Sequence, residues 1–73
     1  SKDAEARYVS DMIVHHEHAV LMAKELLTFA KRDELRNMAS DVIRTQSVEI
    51  DQLKSILQSK YGQTPQMIDH SMH

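Results

Sequence analysis

The sequence predicts an all-α protein built as an antiparallel helical hairpin. Apolar residues recur at helical spacing in two long segments, and only about three residues separate these segments. Such a short connection makes the two helices antiparallel neighbours. With 73 residues and no Cys, the chain is one small domain without a disulfide or a thiolate zinc site.

Helix 1 is predicted to run from about residue 4 to residue 30. Asp3 can cap its start, because an aspartate side chain accepts hydrogen bonds from the free N–H groups of a first helical turn. One histidine, His16, interrupts the apolar stripe of this helix. The stripe otherwise consists of Tyr8, Val9, Met12, Ile13, Ala19, Val20, Ala23, Leu26, Leu27 and Ala30.

Helix 2 is predicted to run from about residue 34 to residue 61, with Asp33 as its N-cap and Gly62 just past its last turn. Thr64 and Pro65 can begin one more short turn, because Thr caps helices and Pro is favoured at the first helical position. The stripe of helix 2 contains Leu35, Met38, Ala39, Val42, Ile43, Gln46, Glu49, Ile50, Leu53, Ile56 and Leu57.

These bounds divide the chain into a helical hairpin over residues 1–62 and a tail with Met and His over residues 63–73. Each helix is about 40 Å long, and a lone hairpin leaves half of each apolar stripe in water. Pairing two hairpins removes that exposure. We therefore predict a homodimer that forms a four-helix bundle, unless a longer natural chain supplies the other two helices.

Composition and charge exclude several function classes. The 9 Lys and Arg and the 11 Asp and Glu form no basic stripe, and the aromatic residues are 2 Tyr and 1 Phe, too few to stack on bases. No nucleic-acid partner is therefore expected. No segment approaches the roughly 20 apolar residues that span a bilayer, and no charged start followed by an apolar core marks a signal peptide.

One polar layer crosses the predicted apolar stripes. His16 lies near the centre of the helix 1 stripe, Gln46 near the centre of the helix 2 stripe, and Glu49 at its edge. Folding the two helices about their short loop sets these residues at similar heights. Without partners, a buried imidazole, amide or carboxylate each costs about a few kcal/mol, so the layer should be internally hydrogen-bonded or metal-bound.

A second polar group lies on the flank of helix 1, at spacings of three, four and seven: Asp11, His15, His18 and Met22. His18 and Met22 form a one-turn pair that can chelate an ion, and Asp11 can orient the imidazole of His15. The tail can fold back over this patch, because helix 2 returns to the level at which helix 1 starts. It would bring four more candidate ligands: Met67, His70, Met72 and His73.

Thioether sulfur and imidazole nitrogen are ligands that suit copper. The chain has 5 Met and 5 His, and all of them except Met38 lie within residues 12–22 and 67–73. We therefore predict a site for Cu(I), with Ag(I) as a chemical mimic and Cu(II) accessible through the histidines. Imidazole must lose its proton to bind, so binding should weaken below about pH 6. The predicted ligands are Met12, His15, His16, His18, Met22, Glu49, Met67, His70, Met72 and His73.

Each of these features also has a structural explanation. Met38 lies on the core stripe, so it is interpreted as a flexible gap-filler and is not counted as a ligand. His16 can simply hydrogen-bond to Gln46 or Glu49 inside the bundle. The flank can be an ordinary solvated face, and the tail a disordered terminus. Under this alternative, the chain is a structural or interaction module whose polar layer fixes helix pairing.

Residues 8–23 and 39–50 resemble a bacterial family catalogued as a domain of unknown function, whose described members include the copper-binding protein CopM. The pattern is Met-Ile-x-His-His-x-x-Ala-x-x-Met-Ala, then Gln-x-x-Glu-Ile. The resemblance implies a ferritin-like four-helix bundle in secreted, periplasmic or membrane-attached proteins, with copper or silver bound through Met and His. Many members carry Trp where this chain has Leu57. The marked positions are Met12, His15, His16, Met22, Gln46 and Glu49.

The ferritin-like resemblance also raises the hypothesis of a di-iron carboxylate oxidase. That chemistry needs inward-facing Glu residues and Glu-x-x-His pairs, because bridging carboxylates hold the irons. Neither helix contains Glu-x-x-His, and Glu17 is predicted to face away from the core layer. No Ser or Cys nucleophile is placed with a base and an orienting acid. The sequence therefore predicts a binding protein and not an enzyme.

Overall fold

A computed structural model describes residues 2–63 of the chain. It contains two α-helices, α1 (Lys2–Phe29) and α2 (Asp33–Tyr61), which are joined by residues 30–32. The helices pack against each other as a hairpin, and no β-strand occurs within residues 2–63. The predicted all-α hairpin is therefore confirmed. Over the same residues, neither helix has a stretch that is both long and apolar enough to cross a membrane.

The two helices meet along one stripe of each, which we call the seam. Its positions alternate three and four residues apart, the spacing that keeps one side of a helix facing an antiparallel neighbour. Ile13 and Leu57 are the most deeply buried, at 1% and 0% exposure, and both lie toward the end of the hairpin that carries the termini. The buried seam residues among those described are Ala6, Val9, Ile13, His16, Ala23, Ala39, Ile50 and Leu57.

The loop end of the hairpin is closed by an arginine from α2. The last carbonyls of a helix have no partner within the helix and need donors from elsewhere. Arg36 Nη1 donates to the carbonyl of Leu27 at 3.0 Å and to that of Ala30 at 2.9 Å. The N–H of Ala30 also bonds to the Leu26 carbonyl at 2.8 Å. One guanidinium thus covers the C-terminus of α1 and fixes the start of α2 beside it.

The helix starts differ from the predicted caps. Arg32 is the N-cap of α2, with extended backbone angles (φ −77°, ψ 130°) and no side-chain capping bond, and its carbonyl accepts the N–H of Arg36 at 3.0 Å. Asp33 is already helical, and Asp3 lies inside the first turn of α1. The capping roles predicted for both aspartates are therefore wrong. Their carboxylates still lie near the positive ends of the helix dipoles, where a negative charge is favourable.

The end of α2 follows the prediction. Gly62 adopts the left-handed conformation (φ 63°, ψ 27°) that a side chain disfavours, and it stops the helix. Its N–H bonds to the Gln58 carbonyl at 3.0 Å, and the N–H of Gln63 bonds to the Leu57 carbonyl at 3.2 Å. These two bonds satisfy carbonyls that the last turn would otherwise leave free.

A hydrogen bond between side chains joins the two helices at the open end of the hairpin. The hydroxyl of Tyr61 donates to Glu5 Oε1 at 2.7 Å. This bond to Glu5 raises the pKa of Tyr61 above its usual value, because losing the proton would place a phenolate against a carboxylate. The bond thus links the last turn of α2 to the first turns of α1.

Two charged side chains, one from each helix, contact each other at the edge of the seam. Glu17 Oε2 lies 3.7 Å from Lys54 Nζ. The second oxygen, Oε1, is buried and makes no hydrogen bond among the described residues. Glu17 was predicted to face away from the core layer, but it lies at the edge of the seam.

Candidate metal-binding grooves

The central polar contact of the hairpin joins His16 to Glu49. His16 is 6% exposed, and its Nε2 lies 2.6 Å from Glu49 Oε1. The Glu49 side chain is half exposed, so water still reaches part of the carboxylate. Gln46 is partly buried and hydrogen-bonds to neither residue. Of the predicted polar layer, the structure therefore brings His16 and Glu49 together and leaves Gln46 beside them.

The second ring nitrogen of His16 has no such partner. With an ionised Glu49 accepting, Nε2 is the donor, and a neutral ring then leaves Nδ1 as an acceptor. Nδ1 is buried and makes no hydrogen bond within residues 2–63. A buried imidazole held by one carboxylate across the seam is the structural role considered for His16 from the sequence.

Two histidines and two methionines line an open groove of about 640 Å³ near the loop, which we call the loop-end groove. His15 and His18 come from consecutive turns of α1, and Met22 lies one turn further on. Met38 comes from α2. Small seam residues form the floor, because Ala23 and Ala39 lie between the helices where larger side chains would fill the space. The lining is His15, His18, Ala19, Met22, Ala23, Glu25, Leu26, Phe29, Leu35, Met38, Ala39 and Val42.

Met38 is the lining residue that sequence reasoning missed. It was interpreted as a buried gap-filler, but 62% of it is exposed. That interpretation is wrong because the seam between two helices is narrower than the apolar stripe that the sequence pattern predicts, so Met38 falls outside the seam. Met38 precedes the seam residue Ala39 by one position, so it lies about 100° around the helix from it. Its spacing of one residue from the seam was the signal that could have placed it on the surface.

Met12 lies in a second depression, the open-end groove, of about 360 Å³. The lining of this groove is Tyr8, Met12, His16, Glu49, Gln52, Leu53 and Ile56. Met12 and Met22 are ten residues apart on one helix, which separates them by about 15 Å along its axis. The predicted ligands therefore divide between two grooves, and one ion cannot contact both methionines within a single chain.

Both grooves lie on the same side of the hairpin, which we call the front face. It consists of residues one position before the seam positions, and on α1 these alternate four and three apart. The α1 members are Tyr8, Met12, His15, Ala19, Met22, Leu26 and Phe29, and the α2 members are Leu35, Met38, Val42, Thr45, Glu49, Gln52 and Ile56.

Several predicted site contacts do not form. Asp11 is exposed and makes no hydrogen bond to His15, whose described contact is an edge-on approach to the His16 ring with centroids 6.3 Å apart. Within residues 2–63, no three His, Asp or Glu side chains gather as a metal site. The predicted tail ligands lie outside the described residues, and they are Met67, His70, Met72 and His73.

Comparison with known proteins gives one family and one curated relative. The family model described as "Domain of unknown function (DUF305)" matches residues 3–73. An "Uncharacterized protein L153" of Acanthamoeba polyphaga mimivirus is 33% identical over 54 residues, which cover 74% of this chain and 36% of the relative. The match thus spans about a third of that protein's length. No solved structure matches the chain.

Proposed function

This chain belongs to the DUF305 family, and we propose that it binds Cu(I) through thioether and imidazole groups of the loop-end groove. The observation that supports the proposal is the lining of that groove by two histidines and two methionines drawn from both helices. Three of them, His15, His18 and Met22, were proposed as ligands from the sequence. Met38 is added because it lines the same groove.

The donor types favour a soft ion over a hard one. Thioether sulfur prefers Cu(I) and its mimic Ag(I), whereas Mg²⁺, Ca²⁺ and di-iron centres need several carboxylates. Glu25 is the carboxylate that lines the loop-end groove among the described residues. No three His, Asp or Glu gather within residues 2–63, and the further side-chain donors that line the loop-end groove are methionines. Cu(II) would use His15 and His18, as imidazole is a good ligand for that oxidation state.

The proposed mechanism is ligand exchange, for sequestration or transfer of the ion. Sulfur and nitrogen ligands bind such ions at about 2 Å, as they do in zinc sites, so a groove this wide must draw its side chains inward to hold one. His18 and Met22 are exposed and free to change rotamer, which suits capture and release. Neutral sulfur keeps part of the affinity when the histidines are protonated.

Two further elements of the proposal come from the resemblance, namely a ferritin-like four-helix bundle and a periplasmic or secreted location. The third, a homodimer, comes from the apolar stripes that a single hairpin leaves exposed. The CopM-like motif around Met12, His15 and His16 supports copper as the ion, and Met12 and the tail residues are candidate ligands of a second site. A chain with the second pair of helices would complete the bundle equally well.

Anaerobic titration with Cu(I) against a colorimetric chelator tests the proposal. The double variant His15→Ala with Met22→Leu should bind Cu(I) about 100-fold more weakly, because even the loss of a residue that only supports a metal ligand costs about 10- to 100-fold in metal affinity. The helix signal in circular dichroism should stay unchanged, as both residues are exposed. Met12→Leu is the matched control in the open-end groove, and it should leave the affinity of the loop-end site unchanged.

The pH dependence supplies an independent measurement. Binding that involves His15 and His18 should weaken below about pH 6, since a protonated imidazole cannot coordinate. Equal affinity at about pH 5 and pH 7 would contradict histidine ligation. Failure of the unmodified, folded chain to take up copper or silver against a modest competitor would overturn the whole proposal.

A second candidate function is a structural or interaction module that binds no metal. The observation that favours it is the hydrogen bond between His16 and Glu49, which satisfies the central histidine without an ion. Under this function, His16→Leu changes stability, and neither the unmodified chain nor the variant takes up copper. Under the copper proposal, His16→Leu leaves uptake by the loop-end groove in place.

A further inference from the structure

The methionines of the two helices differ in how far they are exposed. Met22 is 55% exposed and Met38 is 62% exposed, and both line the loop-end groove. Met12 is partly buried and lines the open-end groove. Oxidants reach a thioether according to its exposure, so the two methionines of the loop-end groove are more vulnerable to oxidation than Met12.

We propose that Met22 and Met38 form a modification site, at which peroxide converts both thioethers to sulfoxides and thereby releases Cu(I) from the loop-end groove. The oxidation itself follows from the exposure of the two side chains. Its effect on the metal rests on the proposed function, to which it adds a chemically controlled release of the ion. The oxidant is of the hydrogen peroxide class.

The reaction consumes one peroxide for each methionine. A lone pair of the thioether sulfur attacks one oxygen of hydrogen peroxide, the O–O bond breaks, and the other oxygen leaves as water with both protons. The sulfur is oxidised to the sulfoxide level and the peroxide is reduced. The product carries a polar oxygen, which is a hard donor, and Cu(I) prefers the soft thioether that has been lost.

The placement of the two methionines makes their oxidation effective. Met22 lies on α1 and Met38 on α2, so they are the thioether donors that the two helices contribute to the lining of the loop-end groove. Oxidation of both removes these soft donors and leaves the imidazoles of His15 and His18 unchanged. Because imidazole is a good ligand for Cu(II), the oxidised groove should lose Cu(I) and still bind Cu(II).

The hairpin should survive this modification. A sulfoxide in a packed core disrupts the core, because it replaces an apolar side chain by a polar one. Met22 and Met38 are exposed and lie outside the seam, so water can solvate the new oxygen while the buried contacts between the helices stay in place. Hydrogen peroxide is small, so an assembly that admits copper to the groove also admits the oxidant. Oxidation therefore changes the groove and not the fold.

Peroxide treatment of the metal-free chain tests the modification site independently of copper. Tandem mass spectrometry assigns each added oxygen to one methionine. Met22 and Met38 should be oxidised at least about twofold faster than Met12, because the rate follows exposure, and the helix signal in circular dichroism should stay unchanged. Oxidation of Met12 as fast as that of the other two methionines would overturn the assignment, as would slow oxidation of all three.

Anaerobic Cu(I) titration after removal of the peroxide tests the release. The oxidised chain should bind Cu(I) about 100-fold more weakly, which is the loss expected for the double variant of the proposed site. Methionine sulfoxide reductases for both sulfoxide epimers should restore the affinity. The matched control Met12→Leu should respond to peroxide as the unmodified chain does.

The double variant Met22→Gln with Met38→Gln assigns the effect to these two positions, because glutamine places an amide oxygen near the position of the sulfoxide oxygen and all other methionines stay reduced. It should show the same loss of Cu(I) affinity without peroxide and keep its affinity for Cu(II). A double variant that binds Cu(I) as tightly as the unmodified chain would refute the role of the pair.

The two measurements separate this inference from the proposed function. If the unmodified chain binds Cu(I) and the oxidised chain binds it equally well, the release is refuted and the proposed function stands. If Met22 and Met38 oxidise first but the unmodified chain binds no copper, the modification site stands, and the proposed function and the release both fail.

Discussion

The seam and the front face run along the same two helices one residue apart, yet only the seam is complete within a single chain. Leu57 is fully buried in the seam, and its neighbour Ile56 is 41% exposed on the front face. The two side chains have the same volume and polarity. Their difference in burial shows that one helix can carry both an apolar surface that is buried within the chain and an apolar surface that stays exposed.

The neighbouring histidines show the same contrast in a chemical form. His16 is buried, and its Nε2 is committed to Glu49. His15 is exposed and lines the loop-end groove, where its nitrogens remain open to a ligand. A single step of about 100° around the helix thus separates a structural imidazole from an available one.

The largest expected effect on stability comes from truncating a buried side chain of the seam. Leu57→Ala should lower the free energy of unfolding by about 2 to 5 kcal/mol, because the buried side chain leaves a cavity as well as losing its apolar contacts. The measurement is urea denaturation followed by circular dichroism. Ile56→Ala is the matched control and should cost clearly less in the monomer. Equal losses for the two variants would contradict the distinction between seam and front face.

A medium effect is expected from separating the polar pair. Glu49→Ala leaves the buried Nε2 of His16 without its partner, and an unsatisfied buried group costs about 1 to 3 kcal/mol. The lower end applies here, because Glu49 is half exposed and water can partly replace its carboxylate. Chemical denaturation of His15→Ala should change stability by no more than about 0.5 kcal/mol. A larger cost for His15→Ala than for Glu49→Ala would reverse the roles assigned to the two positions.

The smallest effect concerns the hydrogen bond at the open end of the seam. The folded chain raises the pKa of Tyr61 above its usual value of 10.0, chiefly through the bond to Glu5. The native state therefore keeps this proton after the unfolded chain has lost it, and the stability that the bond contributes is present below about pH 10 and declines as the pH rises beyond it.

Urea midpoints measured between about pH 8 and pH 11 check this expectation. Tyr61→Phe should remove part of the decline that the unmodified chain shows above about pH 10. Tyr8→Phe is the control, because the Tyr8 ring lies on the front face and is 63% exposed. If both variants changed the alkaline decline equally, the bond to Glu5 would not be its cause.

Sequence reasoning was most successful where local chemistry decides the outcome. The spacing of apolar residues gave both helices, and Gly62 marked the end of α2 because it relieves the strain of a left-handed residue. The sequence also placed Gln46 and Glu49 near the height of His16, since a short loop sets the height of each residue on its neighbour, and the structure selects Glu49 as the hydrogen-bond partner. The caps were misplaced because Arg32 uses its backbone carbonyl alone, and no side-chain signal marks such a residue.

Taken by itself, the sequence determined the two helices, the end of α2 and the gathering of Met and His on one stretch of α1. Only the packing of α1 on α2 decided how the wide apolar stripe divides into a buried seam and an exposed face. That division depends on the angle at which the helices meet, which no local pattern encodes. It exposed Met38, oriented Glu17 toward Lys54, and formed the two grooves along the front face.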